Sequence, residues 1–132
     1  MDNSDEVRVL VVDDMPDSAD MLALALELDG YTCRAVNSGE EALQVIDEFS
    51  PLCVLIDIHM PGMGGHELTH QLRARFGSEI VLVAVTGAGV ADDRISRGFE
   101  QFDHYLRKPV DLSLLKKLFP PVEEPASSGL SG

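Results

Sequence analysis

Residues 53–65 read CVLIDIHMPGMGG. A short apolar run ends on one aspartate, Asp57, and a loop of Met, Pro and Gly follows. A run this short, bounded by turn residues, reads as a strand buried on both faces of a parallel sheet. A carboxylate at the lip of such a strand is costly to desolvate unless charge elsewhere in the chain compensates it. Gly62, Gly64 and Gly65 are expected to let the loop after Asp57 turn tightly and keep its mouth open.

Outward from this stretch, strand and helix patterns alternate five times. VRVLVV (7–12) is an apolar, β-branched run, and PDSADMLALALELDG (16–30) is a helix opened by Pro16 and stopped at Gly30. YTCRAV (31–36) alternates polar and apolar residues, which places it at a sheet edge. Helix 38–49 starts at Ser38 with Glu41 three residues on, the spacing of a capping box. Strand 52–56, helix 65–76, strand 80–85, a weaker helix near 91–101, strand 103–106 and helix 111–118 follow. Alternation on this scale implies βαβ units around a parallel sheet, and right-handed crossovers put helices on both faces. The expected organisation is one domain over 1–119 and a Pro-, Ser-, Gly- and Glu-rich disordered tail over 120–132.

The chain has 132 residues, enough to bury roughly two thirds of its unfolded surface without metal or disulfide staples. Its two cysteines, Cys33 and Cys53, lie in strand-like runs with no metal-ligand spacing, and read as core thiols of a reducing cytoplasm. No apolar stretch approaches a membrane span, and MDNSDEVR is not a signal peptide. The net charge of −13 argues against nonspecific nucleic-acid binding. It is unevenly distributed, with 14 acids and 2 bases in residues 1–57 against 9 acids and 8 bases in 58–132.

In an open parallel sheet, ligands bind beyond the carboxyl ends of the strands. The first strand ends at Asp13-Asp14, the third at Asp57, the fourth at Thr86-Gly87-Ala88 and the fifth at Arg107-Lys108-Pro109. Three carboxylates on one rim raise one another's pKa values unless a cation intervenes. Oxygen ligands of this kind suit Mg²⁺. Lys108 supplies a point charge for Asp57 or for a phosphoryl oxygen, and Thr86 a hydrogen bond to a phosphoryl group. A carboxylate is itself able to act as the nucleophile and form an acyl phosphate, with the protein contributing positioning and electrostatics.

These residues carry a resemblance. VVDD (11–14), LIDIHMPGMGG (55–65), VTG (85–87) and YLRKP (105–109) stand in the order and spacing of the receiver domains of two-component response regulators, over residues 7–118. The resemblance implies a flavodoxin-like (βα)5 fold, a doubly wound five-stranded parallel sheet of order 2-1-3-4-5, which would keep Cys33 and Cys53 from bridging. It implies that Asp57 is the phosphoacceptor, that Asp14 and Asp13 bind Mg²⁺ with Asp57 and the main-chain carbonyl of His59, and that Thr86 and Lys108 contact the phosphoryl group. Tyr105 matches the aromatic switch residue, and Lys108-Pro109 a peptide bond usually cis in the family. His59, Gly64 and Arg107 depart from common family choices and bear on the lifetime of the phosphorylated form.

The implied function is a cytoplasmic phosphorelay module that takes a phosphoryl group from a histidine kinase or histidine phosphotransfer protein and slowly loses it again. It is not a metabolic enzyme, and neither nucleic acid nor membrane is an expected partner. A phosphorylation-dependent homodimer is a further expectation, and the segment 103–118 is similar to receivers at the C-terminal ends of hybrid histidine kinases. The alternative is a degenerate receiver that binds proteins without phosphorylation. A haloacid-dehalogenase-type phosphatase is disfavoured, since Met15 and His59 stand where its second acid belongs. A flavodoxin-type flavin site is disfavoured because DDMPDS (13–18) repels phosphate. His66 and His70 at helical spacing read as a solvated face rather than a metal pair, and His104 as structural or exposed. Two surfaces are expected to meet partners. One is the outward side of the first helix around Leu24; the other runs from 94 to 117, with bases Arg94, Arg97, Arg107, Lys108, Lys116 and Lys117.

Overall fold

Alternate residues of the apolar runs point to opposite faces of one sheet. Leu10, Val12, Val54, Ile56, Leu82 and Ala84 belong to one buried cluster, while Val9, Val11, Cys53, Leu55, Val83 and Val85 belong to another. This is the period-2 geometry of strands covered on both sides. Each fully buried Val, Leu or Ile contributes about 1.5–3 kcal/mol relative to exposure.

The computed structural model describes residues 7–58, 65–86, 102–108 and 110–117. In chain order these form β1 (Arg8–Val12), α1 (Pro16–Leu28), β2 (Thr32–Val36), α2 (Gly39–Phe49), β3 (Cys53–Asp57) and α3 (Gly65–Phe76). A single 3-10 turn (Gly77–Glu79), β4 (Val81–Thr86), β5 (His104–Arg107) and the short helix α4 (Leu112–Lys116) follow. The five strands are parallel, in the order β2-β1-β3-β4-β5. The expected doubly wound sheet is therefore present, with β2 at an edge. The helix expected near 91–101 and the tail 120–132 lie outside the described residues.

Among the described residues, two helices cover each face. Ala42 and Ile46 of α2 and Leu68 and Leu72 of α3 join the first cluster. Ala19, Ala23 and Leu26 of α1 and Leu115 of α4 join the second. Val9 pairs with Cys33 on one side and Cys53 on the other, so the two thiols are two strand spacings apart, roughly 9.6 Å. That exceeds disulfide reach, and both cysteines are free. Burial pushes the Cys33 thiol up to about 12 and that of Cys53 well above its ordinary value. Both are inert core thiols at neutral pH.

Every strand begins one residue later than the apolar runs suggest. β3 and β4 also end one residue later than read, so Asp57 and Thr86 are their last residues rather than the first beyond them. Asp57 pairs with Val85 and Thr86 with Arg107, so ladder hydrogen bonding fixes the backbone of both. α1 ends as read: Gly30 takes φ +103° and the Tyr31 N–H donates to the Leu26 carbonyl at 3.1 Å.

Candidate functional site

The carboxyl edge of the sheet gathers what the strand ends were expected to bring. Asp13, one residue past β1, is 6% exposed and Asp57, closing β3, is 5% exposed. One carboxylate oxygen from each of Asp13, Asp14 and Asp57 lies within 4.8 Å of the others. Lys108, one residue past β5, donates from Nζ to Asp57 Oδ2 at 3.1 Å and to Asp13 Oδ2 at 3.3 Å. Thr86 is buried at the end of β4, and its carbonyl accepts the Lys108 backbone N–H at 2.7 Å. Strand 4 thus sets where the lysine leaves the sheet.

The charges are unbalanced, with three carboxylates around one ammonium. Burial raises the Asp13 pKa above the ordinary carboxylate range; the Met15 N–H opposes this, the Asp57 charge adds to it, and Lys108 opposes it again. For Lys108, partial burial pulls the pKa down, but the hydrogen bond and charge of Asp57, and then of Asp13, outweigh it and raise it overall. Lys108 is therefore a fixed positive charge across the neutral range, and one too few for its neighbours. The donor set, all carboxylate oxygens with net negative charge, fits a hard divalent cation.

Asp13 has a second structural role. Its Oδ1 accepts the Met15 N–H at 3.0 Å, closing the turn into α1, and its carbonyl accepts the Asn37 side-chain amide at 2.9 Å. Asn37 is in turn held by α2, because its own N–H donates to Glu41 Oε1 at 2.6 Å while Ser38 Oγ accepts the Glu41 N–H at 3.0 Å. The expected capping box is present in altered form, with Glu41 reaching back to the residue before the cap. Asn37 is a positioning residue the sequence reading did not single out. Its signal was slight: a polar residue directly after the strand that flanks β1.

Gly65 matters for a reason other than loop flexibility. A Cβ there would lie 2.7 Å from Ile58 Cα and 3.2 Å from the Asp57 carbonyl oxygen. The start of α3 is pressed against the end of β3, immediately below the acidic cluster. His59, Gly62, Gly64 and Pro109 lie outside the described residues. Tyr105 is on β5 opposite Ala84 and 43% exposed, which excludes an ordinary core aromatic. His104 is half-buried and His70 exposed on α3.

The family model of the response regulator receiver domain matches residues 9–119. The chain belongs to the response regulator receiver family. It is 36% identical over 116 residues to sensor histidine kinase RcsC of Salmonella typhimurium, covering 88% of this chain and 12% of that protein. The chain thus spans about an eighth of that relative's length. Among solved structures, the receiver domain from Methylobacillus flagellatus superposes with a TM-score of 0.73 at 30% identity, over 86% of this chain and 95% of that one. Response regulator TrrA of Thermotoga maritima, in complex with Mg²⁺-BeF, superposes with a TM-score of 0.74 at 28% identity, over 85% and 95%. Among the described residues of this receiver, no helix is long and apolar enough to cross a membrane.

Proposed function

We propose that the receiver accepts a phosphoryl group on Asp57 from a phosphohistidine and switches a partner-binding face in response. The observation that carries this reading is Lys108 Nζ bonded to Asp57 Oδ2 at 3.1 Å within a cluster of three carboxylates at the sheet's carboxyl edge. An Asp57 oxygen attacks phosphorus. The O–P bond forms as the P–N bond to the imidazole breaks, and its electron pair stays on the ring nitrogen. Lys108 then shifts its hydrogen bond from the carboxylate to a phosphoryl oxygen, and the Thr86 hydroxyl donates to another.

Asp13, Asp14, Asp57 and the carbonyl of His59 are the residues that would hold Mg²⁺, which would offset charge on the phosphoryl group. The Mg²⁺-BeF complex of TrrA supports this assignment by similarity. Hydrolysis of the acyl phosphate returns the domain to its resting form.

The donor, a histidine kinase or histidine phosphotransfer protein, docks on α1. Met21, Leu24 and Leu28, at helical spacing, are 72%, 57% and 80% exposed, an apolar stripe beside the site. This bears on the earlier reading of α1: Leu26 is buried and Leu22 and Ala25 are half-buried, so Leu24 faces out. The second surface needs one correction. Lys108 is committed to the acidic cluster and Asp103 to an ion pair with Arg73 at 2.6 Å, so neither contributes freely to that face. Arg94 and Arg97 lie outside the described residues. We assign the receiver to residues 1–119, the tail to 120–132, and the site of action to the cytoplasm.

Acetyl phosphate with Mg²⁺ tests the reading. One hydroxylamine-labile phosphoryl group is expected, and no incorporation at all would instead mark a partner-binding module that does without phosphorylation.

A further inference from the structure

β5 delivers Lys108 to the acidic cluster, yet little in the strand itself fixes where it sits. It has four residues, none of them buried, and Leu106 is only partly packed against the core. Register is strongly specified only where one face of a strand is buried, and a slip of one residue moves the strand end by about 3.3 Å. A displacement of that size would break the bonds from Lys108 Nζ to Asp57 Oδ2, at 3.1 Å, and to Asp13 Oδ2, at 3.3 Å.

The amino end of β5 is closed by side chains instead. The Asp103 N–H donates to the Leu82 carbonyl at 2.7 Å, and the Leu82 N–H donates to Asp103 Oδ2 at 2.8 Å, so a carboxylate oxygen serves where the ladder would use a strand carbonyl. Arg73 Nη2 donates to the same oxygen at 2.6 Å, while Nη1 donates to the carbonyls of Gly77 at 2.8 Å and Ile80 at 3.1 Å. An arginine that only closed the end of α3 would stop at the Gly77 carbonyl; this one reaches on to the start of β5. α3 thereby touches both members of the reacting pair. Its first residue, Gly65, is packed on the backbone that follows Asp57, and its last turn, through Arg73, holds the strand that ends at Lys108. Over 12 residues, about 18 Å, one helix refers Asp57 and Lys108 to a common frame.

We propose that Arg73 is a positioning residue for phosphoryl transfer: through Asp103 it pins the register of β5 and so holds Lys108 Nζ against Asp57. The inference rests on Asp57 as phosphoacceptor with Lys108 as its partner. One consequence separates it from a staple that only stabilises the fold. The effect of Arg73 on the reaction runs through the Lys108 ammonium, and disappears when that ammonium is removed.

The test uses the full chain, labelled with phosphoramidate and Mg²⁺ well below its melting temperature, and NMR of the Lys108 side chain and the β5 amides. Arg73→Leu should slow labelling about tenfold and shift the resonances of Leu82, of residues 104–108 and of the Lys108 side chain. Arg73→Lys keeps the charge without the planar fork and should recover part of the loss. In a Lys108→Met background, which is itself slower, Arg73→Leu should cost less than about twofold more. Asp103→Asn keeps an oxygen for Leu82 and should slow labelling several-fold, which decides the matter if Arg73→Leu does not fold. Undiminished labelling in a folded clasp variant, an equal loss with and without Lys108, or an unmoved Lys108 side-chain resonance would overturn the proposal. Absence of labelling in the wild type would instead count against Asp57 as phosphoacceptor, and the Lys108 resonance in Arg73→Leu would still judge the clasp.

Discussion

At the scale of single residues, Asp13 has more demands on it than any neighbour. It faces Asp57 and Lys108, closes the turn into α1 through Met15 and anchors Asn37 through its carbonyl. α1 lacks a side-chain cap because its N-cap residue, Met15, has no side-chain oxygen to accept from the first turn. The raised pKa of Asp13 means that its ionised form is less favourable in the fold than in the unfolded chain. The associated stability is fully present below the unfolded value of 3.8 and is lost as pH rises through the raised folded value. Without divalent cations, Asp13→Asn should therefore melt a few degrees above the wild type at pH 7, the gap closing toward pH 4. Thermal unfolding at the two pH values checks this, and a lower melting temperature at pH 7 would contradict it. Asp57, Asp14 and Lys108 were legible in the sequence because charged residues gather where several apolar runs end. Asn37 was not, because a polar residue after a strand is ordinary and its partner lies 24 positions away.

At the scale of elements, the strands and helices followed from periodicity, and their limits did not. An apolar run marks where burial begins, whereas ladder pairing begins one residue later; at the far ends of β3 and β4 the pairing runs on past the apolar residues and takes in Asp57 and Thr86. Contacts between elements distant in sequence were also hidden. Arg73 of α3 bonds the Gly77 and Ile80 carbonyls and Asp103, while Asp103 Oδ2 accepts the Leu82 N–H at 2.8 Å, tying α3, β4 and the start of β5 together. The junction of β3 and α3 yields a prediction. A methyl group at residue 65 meets backbone rather than a flexible side chain, so Gly65→Ala must displace Ile58 or the start of α3. The expected cost is about 1–3 kcal/mol in denaturant unfolding, with slower labelling of Asp57. An unchanged stability would show that the junction yields without strain.

At the scale of the whole molecule, the strand order came from the resemblance and not from the spacing of elements, since alternating βα units are compatible with several sheet orders. The order β2-β1-β3-β4-β5 brings the ends of β1, β3, β4 and β5 to one edge, so the acids, Thr86 and Lys108 meet. It also places Tyr105 on the edge strand, exposed and in register with Ala84, two residues before Thr86. Under the proposed function, phosphorylation would add roughly two negative charges at Asp57. In the proposed reading, the Thr86 hydroxyl at the end of β4 would be drawn toward that charge and would couple it to β5. Thr86→Ala should accept phosphate but show a blunted change in the NMR resonances of β5, whereas a full response would place the coupling elsewhere. The central claim is that Asp57, among three clustered carboxylates, is the nucleophile. Borohydride reduction after labelling with acetyl phosphate and Mg²⁺, followed by peptide mass spectrometry, tests it most directly. The account predicts homoserine at position 57 alone and no label in Asp57→Asn; reduction at residue 13 or 14, or an undiminished label in that variant, would contradict it.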